Sequence, residues 1–451
     1  MVQPSIFKSY DIRGIYPSEL KEETAYLIGQ ILVRYTGANK SVIGFDARLS
    51  SPALLRNIAQ GMANEGASVY NIGSVPTECL YFAVGNYDFD IGVMITASHN
   101  PKEYNGFKMV KRIKNGIEII RGRDLLLLVG ESNFRKPDDG LIHSKDILND
   151  YVKYILSFVK DKIDPFGVVV DVSNGVVGKV INRIKKALPI KIIDLNFKPD
   201  GNFPNHSPNP LEKDSTKQIN RAVKERKADF GFIFDGDGDR VFLVDENGKL
   251  VPADITLLLL AKYFLKKNPK SAVAYNAICS KAVPEFIKKW GGAPVRTPVG
   301  FVNVREGLLS NNGIMGGELS GHYCFKDYFY MDSGIITFLI LLQVISSDGR
   351  KVSKIAEELS PYFKSAEINF KIEDKEMVLE KIKQKYADGK QDYLDGVTVE
   401  YPNWWFNVRP SNTEPLLRLT VEADTQDLLE EKKKELENFI KKQLAKRKNK
   451  E

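Results

Sequence analysis

A short strand, a small-residue turn, an amphipathic helix and a second strand recur three times along this chain, and that recurrence constrains the fold more than any other feature. The first copy runs from Ser41 to Ile72, with the strand Val42-Ile43-Gly44-Phe45 and a helix across Pro52 to Glu65. The second starts at Val168-Val169-Val170-Asp171-Val172 and continues through a helix from Gly178 to Ala187 into a strand from Ile190 to Leu195. The third starts at Ala272-Val273-Ala274-Tyr275, with a helix from Lys281 to Trp290 and a strand from Pro294 to Thr297. Such units build parallel sheet with helices on its faces. The starts at 42, 168 and 272 lie 126 and 104 residues apart, a domain-sized period that points to duplication. After about residue 362 the order changes to a strand (Ala366 to Ile372), a helix (Lys375 to Tyr386) and two strands flanking a turn near Arg409, an α+β pattern. The expected architecture is three similar α/β domains with mixed sheets and a fourth α+β domain, at 1–145, 146–245, 246–362 and 363–451.

With 451 residues, 43% hydrophobic and 27% charged, the chain has the balance of a soluble globular protein and exceeds what one core fills. Its longest apolar run, Gly334 to Ile345, has 12 residues, too few to span a bilayer. Met1 to Tyr10 lacks the apolar stretch of a signal peptide. Three cysteines, Cys79, Cys279 and Cys324, are too few and too scattered for a disulfide framework, so a reduced cytoplasm is expected. The net charge of +7 is not a nucleic-acid signature. Gln426 to Glu451 hold nine Lys/Arg and six Asp/Glu, leaving +4 for the other 425 residues, and no stretch resembles a nucleic-acid module. Neither nucleic acid nor membrane is expected as a partner, and the oligomeric state is open from monomer to tetramer.

Four loops carry polar clusters suited to chemistry. Asp235-Gly236-Asp237-Gly238-Asp239-Arg240 lies between the strands Gly231 to Phe234 and Val241 to Val244. Three carboxylates at alternate positions can converge on one hard cation, and three so close repel without one. An EF-hand also begins this way, and Glu246 stands at the twelfth position, but Arg240 replaces the required sixth-position glycine and strands flank the loop where helices should. Thr96-Ala97-Ser98-His99-Asn100-Pro101 follows the apolar strand Ile91 to Ile95, so Ser98 is placed as an exposed nucleophile beside His99, and Lys108 can return towards it. No G-x-S-x-G elbow or Ser-His-Asp order is present, which disfavours a hydrolase triad. Gly316-Gly317-Glu318-Leu319-Ser320-Gly321-His322 presents Glu318, Ser320 and His322 in a glycine-bounded loop suited to vicinal sugar hydroxyls. Arg409-Pro410-Ser411-Asn412-Thr413-Glu414-Pro415 offers a guanidinium, two hydroxyls and an amide in a proline-stiffened turn suited to phosphate oxygens; a capped turn is the plain alternative.

Taken in order, these loops resemble those of the α-D-phosphohexomutase superfamily, specifically its phosphomannomutase/phosphoglucomutase branch. Tyr10-Asp11-Ile12-Arg13-Gly14, Asp46-Ala47-Arg48-Leu49-Ser50-Ser51-Pro52 and Phe203-Pro204-Asn205-His206-Ser207-Pro208-Asn209-Pro210 carry the resemblance over the rest of the chain. It implies four domains around a central cleft, each giving one loop. By the resemblance, Ser98 is the phosphorylated serine, and Asp235, Asp237 and Asp239 hold one Mg2+ with a phosphoserine oxygen. Glu318, Ser320 and His322 read sugar hydroxyls, and Arg409, Ser411, Asn412 and Thr413 grip the phosphate that is not transferring. Tyr10, Arg13, His99, Lys108 and Arg240 line the reacting end, with Lys108 the candidate general acid and base. The implied reaction interconverts hexose 1- and 6-phosphates of mannose or glucose through a hexose 1,6-bisphosphate. Phe301 after Gly300 and Ile278 before Cys279 depart from the family pattern and keep phosphoglucosamine mutase as an alternative, whereas Gly238, Leu319 and Trp404-Trp405-Phe406-Asn407-Val408 favour the mannomutase branch. A reading from another class is a non-catalytic, metal-dependent sugar-phosphate binding protein, which would need no nucleophile.

Overall fold

The computed structural model describes residues 2–114, 116–129, 142–372, 374–411 and 416–448, with side chains through 443. Four sheets follow one another along the chain. In the first, the central strand Ile91–Ile95 is buried at every position, as an unbroken apolar run covered on both faces must be. It runs parallel to Lys40–Phe45 and antiparallel to Tyr104–Ile113, whose other edge takes Ile12–Ile15. The second sheet centres on Phe230–Phe234, parallel to Gly167–Asp171 and antiparallel to Val241–Val244. The third centres on Ala272–Asn276, parallel to both Ala293–Thr297 and Met315–Gly317, and then turns antiparallel through Tyr323–Phe325 and Met331–Asp332. In all three the strands of the recurring unit pair parallel, and added antiparallel strands make the sheets mixed.

The fourth sheet is antiparallel throughout, in the order Phe363–Lys364, Leu416–Ala423, Trp404–Pro410, Val397–Glu400, Lys390–Asp392, with Ile368–Lys371 also paired to Leu416–Ala423. The helices Lys375–Lys385 and Gln426–Lys448 accompany it. Three of its strands, Phe363–Lys364, Val397–Glu400 and Lys390–Asp392, are short and escape a reading by periodicity.

The cores explain how these sheets are joined. One continuous buried cluster runs from Leu80 and Phe82 through Val168–Val170 and Phe230–Phe234 to Leu257–Leu260 and Ile335–Leu342, so the first three sheets share apolar packing. The helix Gly334–Asp348 lies inside this cluster. Its 12-residue apolar run is a buried helix, as an all-round hydrophobic helix must be. The fourth sheet keeps its own core, with Phe370, Val399, Phe406, Leu419, Leu436 and Ile440. It meets the third through polar contacts: Arg296 Nη1 to Asp392 Oδ1 at 3.0 Å, the Val299 N–H to Asp395 Oδ2 at 2.8 Å and Lys364 Nζ to Asp254 Oδ2 at 2.8 Å. No helix among the described residues is long and apolar enough to cross a membrane.

Candidate active site

Three interior strands, one from each of the first three sheets, end at one place. Ile91–Ile95 delivers Ser98, Phe230–Phe234 delivers Asp235 to Asp239, and Met315–Gly317 delivers Glu318 to His322. In open α/β sheets the loops at the carboxyl ends of strands are free to form sites, and the shared core of the three sheets turns these ends towards each other.

Ser98 adopts φ +49°, a left-handed backbone uncommon for a residue with a side chain. The strain is held by the chain around it. The Ser98 N–H donates to Thr96 Oγ1 at 2.7 Å, and Thr96 Oγ1 donates to Asp46 Oδ2 at 2.8 Å. Arg48 is 1% exposed. Its guanidinium donates to Asp46 Oδ2 at 3.0 Å, to the carbonyls of Ser98 (2.9 Å) and Asn100 (2.6 Å), and to those of Pro101 (2.6 Å) and Tyr104 (2.9 Å). Ser98, expected to be exposed, is buried by the loops packed on it, and its hydroxyl points at the acidic loop, donating to Asp235 Oδ2 at 2.8 Å with His99 Nδ1 at 3.2 Å. Burial and the cations Arg240, Arg13 and Lys108 hold the His99 imidazole well below its usual pKa, so it is neutral. Arg13 donates to Asn100 Oδ1 at 2.5 Å and pairs with Asp11 at 2.6 Å, adding a cation beside the same loop.

Asp235, Asp237 and Asp239 are at most 1% exposed, and one oxygen from each lies within 4.8 Å of the others. Gly238 takes φ +85°, a turn that glycine makes without strain. Burial and repulsion from Asp237 and Asp239 push the Asp235 carboxyl well above the usual range. Asp239 goes the other way: burial would raise it, but Lys108, His322 and Arg240 hold it well below. Lys108 Nζ sits 2.7 Å from Asp237 Oδ2 and also contacts Asp239 Oδ2. Burial disfavours its charge, yet Asp237 and Asp239 outweigh that and raise its pKa, so Lys108 rests as an ammonium. Thr77 Oγ1 donates to Asp237 Oδ2 at 2.6 Å. Asp237 Oδ1 remains buried with no hydrogen-bond partner, and Asp239 Oδ1 has only His322 Nε2, at 3.5 Å. Orphaned buried carboxylate oxygens are costly, and oxygens of this hardness fit a divalent cation.

The third loop faces this trio across Arg240, whose Nε is 3.7 Å from Asp235 Oδ2. Glu318 is fully enclosed: its carboxylate accepts from Asn276 Nδ2 (3.3 Å) and the Gly300 N–H (3.1 Å), and Ser320 and His322 close the other side. Burial would raise Glu318, but His322 and Ser320 hold it down to about 2. Burial and Arg240 would lower His322, yet Asp239 and Glu318 push it up to about 9. In that state both ring nitrogens carry protons, so the 3.3 Å approach of Arg240 Nε to His322 Nε2 is a close contact of like charges rather than a hydrogen bond. Phe301, one of the two residues that depart from the family pattern, stacks on the His322 ring at 5.2 Å between centroids. Tyr10 reaches the third sheet's side, where its hydroxyl meets Asn303 Nδ2 at 3.3 Å, and burial raises its pKa.

The fourth loop is less complete. Arg409 is buried and pairs with Glu367 at 2.8 Å, and Glu367 also takes Arg418 at 3.1 Å. Ser411 is buried, with its N–H on the Leu416 carbonyl at 2.8 Å. Asn412 and Thr413 lie outside the described residues. Sequence reasoning noticed Asp46 and Arg48 only as part of a motif and missed Thr77, Asn276 and Asp332. Asp332, fully buried, places Oδ2 3.7 Å from His322 Nε2, and burial with repulsion from Asp239 pushes it up to about 7. Asp46 and Arg48 had a usable signal, since they follow the strand Lys40–Phe45 at its carboxyl end. Asp332 had none, because only the antiparallel pairing of Cys324 with Asp332 carries it inward.

Comparison with known proteins identifies the family. Phosphoglucomutase/phosphomannomutase alpha/beta/alpha domains I, II and III match residues 4–124, 149–248 and 252–363, and the C-terminal domain of that family matches 367–439. The phosphomannomutase of Methanocaldococcus jannaschii is 37% identical over 443 residues, covering 96% of this chain and 97% of that protein. The phosphomannomutase/phosphoglucomutase of Pseudomonas aeruginosa is 36% identical over 449 residues, covering 97% and 96%. The crystal structure of a phosphoglucomutase/phosphomannomutase family protein from Burkholderia thailandensis superposes with a TM-score of 0.87 at 30% identity, covering 98% of each chain. With all four domains matched in order and relatives alike along nearly their whole length, the chain belongs to the phosphoglucomutase/phosphomannomutase family and is a sugar-phosphate mutase.

Proposed function

We propose that the chain interconverts the 1- and 6-phosphates of mannose and glucose, with Ser98 as the phosphoryl carrier and a hexose 1,6-bisphosphate as the intermediate. The observation that carries this reading is the Ser98 hydroxyl, 2.8 Å from an oxygen of a buried aspartate trio with an orphaned acceptor. Asp235, Asp237 and Asp239 would hold one Mg2+ together with an oxygen of the serine phosphate. When bound, Mg2+ supplies positive charge to the phosphoryl oxygens. Three aspartates, one Mg2+ and a phosphoserine of about −2 sum to a local charge near −3. Arg13, Lys108 and Arg240 offset it, which lets an anionic substrate approach and stabilises the phosphoryl group in flight. In each half-reaction the departing oxygen gains a proton and the attacking hydroxyl loses one: Lys108, an ammonium at rest, gives its proton to the departing oxygen and recovers one from the attacking hydroxyl. Glu318 and Ser320 accept from and donate to sugar hydroxyls, His322 keeps Glu318 ionised, and the Arg409 to Thr413 loop grips the idle phosphate. The domain limits 1–145, 146–245, 246–362 and 363–451 belong to the same reading, each domain giving one loop. Three buried, unpaired cysteines fit a cytoplasmic setting.

Intact-mass measurement tests the carrier. The reading expects a species about 80 Da above the unmodified chain. A sugar-phosphate binder without catalysis would show no such species and no turnover on hexose phosphates. For the metal, Asp237→Asn is expected to weaken divalent-ion affinity by at least about 10–100-fold, the loss typical of outer-sphere partners alone. Calorimetric titration with Mg2+ checks this, and unchanged affinity would remove Asp237 from the ligand set. Sugar preference follows from which hydroxyls are read. Mannose and glucose differ only at C2, so contacts confined to O3 and O4 accept both. Turnover on mannose 1-phosphate and glucose 1-phosphate should therefore agree within about 10-fold, since one missing contact is worth about that factor. Activity confined to one sugar, or to glucosamine phosphate, would overturn dual specificity.

A further inference from the structure

Behind the acidic loop lies a second polar network that no step of the proposed reaction uses. Asp171 ends the strand Gly167–Asp171, and its carboxylate is fully buried. It accepts from Asn196 Nδ2 at 3.0 and 3.1 Å and from the Ser173 N–H at 2.9 Å, and it faces His206 Nε2 at 3.1 Å. His206 Nδ1 faces the Ser207 carbonyl at 2.8 Å. Nδ1 thus meets a carbonyl oxygen, and Nε2 meets the Asp171 carboxylate with the Asn196 amide nitrogen also at 3.2 Å.

The network leads directly to the acidic loop. Ser173 and Asn174 stand consecutively at φ +51° and +54°. Two left-handed residues in a row persist only when their surroundings hold them. Here the Asp171 carboxylate holds Ser173, while Asn205 Nδ2 donates to Asn174 Oδ1 at 2.9 Å and the Asn174 N–H donates to the Asn196 carbonyl at 3.1 Å. The Ser173 hydroxyl then donates to the Phe234 carbonyl at 2.5 Å, one residue before Asp235. Gly175 packs so closely on the loop that a Cβ there would lie 2.3 Å from the Gly236 carbonyl oxygen.

We infer that His206 is a positioning residue for the aspartate trio, acting through Asp171 and the turn 173–175 on the backbone that carries Asp235 and Asp237. The inference rests on the metal reading proposed above. Losing the His206 contact leaves the Asp171 carboxylate held only by Asn196 and the Ser173 N–H, which relaxes the turn and loosens the spacing of the trio. Its signature is in metal affinity, not in substrate contacts.

The test is Mn2+ binding to the full-length protein, read by electron paramagnetic resonance of free Mn2+, together with steady-state kinetics across a metal titration. His206→Phe fills the space without a donor and is expected to raise the Mn2+ dissociation constant about 10–100-fold, with kcat at saturating metal and the KM for hexose phosphate within about 3-fold of wild type. His206→Gln, whose amide can donate to Asp171, is expected to recover most of the affinity. Ser173→Ala, a milder change, should shift it in the same direction as His206→Phe. If the wild-type protein itself binds no Mn2+, the metal reading falls and the positioning role falls with it. If the wild type binds and both His206→Phe and Ser173→Ala bind equally tightly, only the positioning role is overturned. A loss of thermal stability without a shift in Mn2+ affinity also overturns it.

Discussion

Ser98→Ala is expected to reduce turnover by on the order of 10⁴-fold or more, the scale on which removal of a nucleophile acts, and to remove the 80-Da phosphorylated species. The change deletes one atom whose partners are Asp235 Oδ2 and His99 Nδ1, and neither holds the fold. The loop stays braced, because Arg48 and Thr96 bond to the Ser98 backbone rather than to its side chain. Alanine at φ +49° keeps the strain already present in the native loop. Thermal melting within a few degrees of wild type, together with the kinetic loss, separates chemistry from folding. Retention of even a tenth of the activity by this variant would transfer the carrier role to another group and dissolve the proposed mechanism.

Arg48→Ala is expected to act on both fold and function. Arg48 and Asp46 form an ion pair exposed by 1% and 2%. Removing one member of a buried pair leaves an uncompensated charge, a loss of about 3–5 kcal/mol. Four carbonyl oxygens, of Ser98, Asn100, Pro101 and Tyr104, lose their donor at the same time. Without them the left-handed backbone at Ser98 keeps only the bond of its N–H to Thr96, and its hydroxyl swings away from Asp235. Urea unfolding measures the first effect, and kcat measures the second at a urea concentration where the variant is folded. Arg48→Lys is expected to rescue neither, because an ammonium offers three donors from one point and cannot span the carbonyls reached by a planar guanidinium. Full activity in Arg48→Lys would show that charge alone matters at this position.

The two variants mark where sequence reasoning works and where it stops. Ile91 to Ile95 and Gly231 to Phe234 were legible because an unbroken apolar run bounded by glycine and polar residues has few uses besides a buried strand. The three strand–helix–strand units were legible for the same local reason. Lys390–Asp392 and Val397–Glu400 were not, since short edge and near-edge strands carry little periodicity of their own and are defined by the neighbours they pair with. The site divides the same way. Ser98 and the aspartates announce themselves by chemistry crowded into a few residues. Arg48 does not, because its importance lies in four backbone carbonyls 50 to 56 residues away. Nor does the pairing of Arg409 Nη2 with Glu367, which orients the guanidinium and leaves its Nε without a hydrogen-bond partner.

By itself, then, the sequence determined the long apolar strands, the three strand–helix–strand units and which loops carry reactive groups, because hydrophobic period and turn chemistry act between neighbours. Only the tertiary structure decided that Ser98 meets Asp235 across 137 residues, that Lys108 is held charged against Asp237 and Asp239, and that Asp332 joins His322. Those outcomes depend on a core shared by three sheets, which turns separate strand ends towards one point and excludes the water that would otherwise screen their charges.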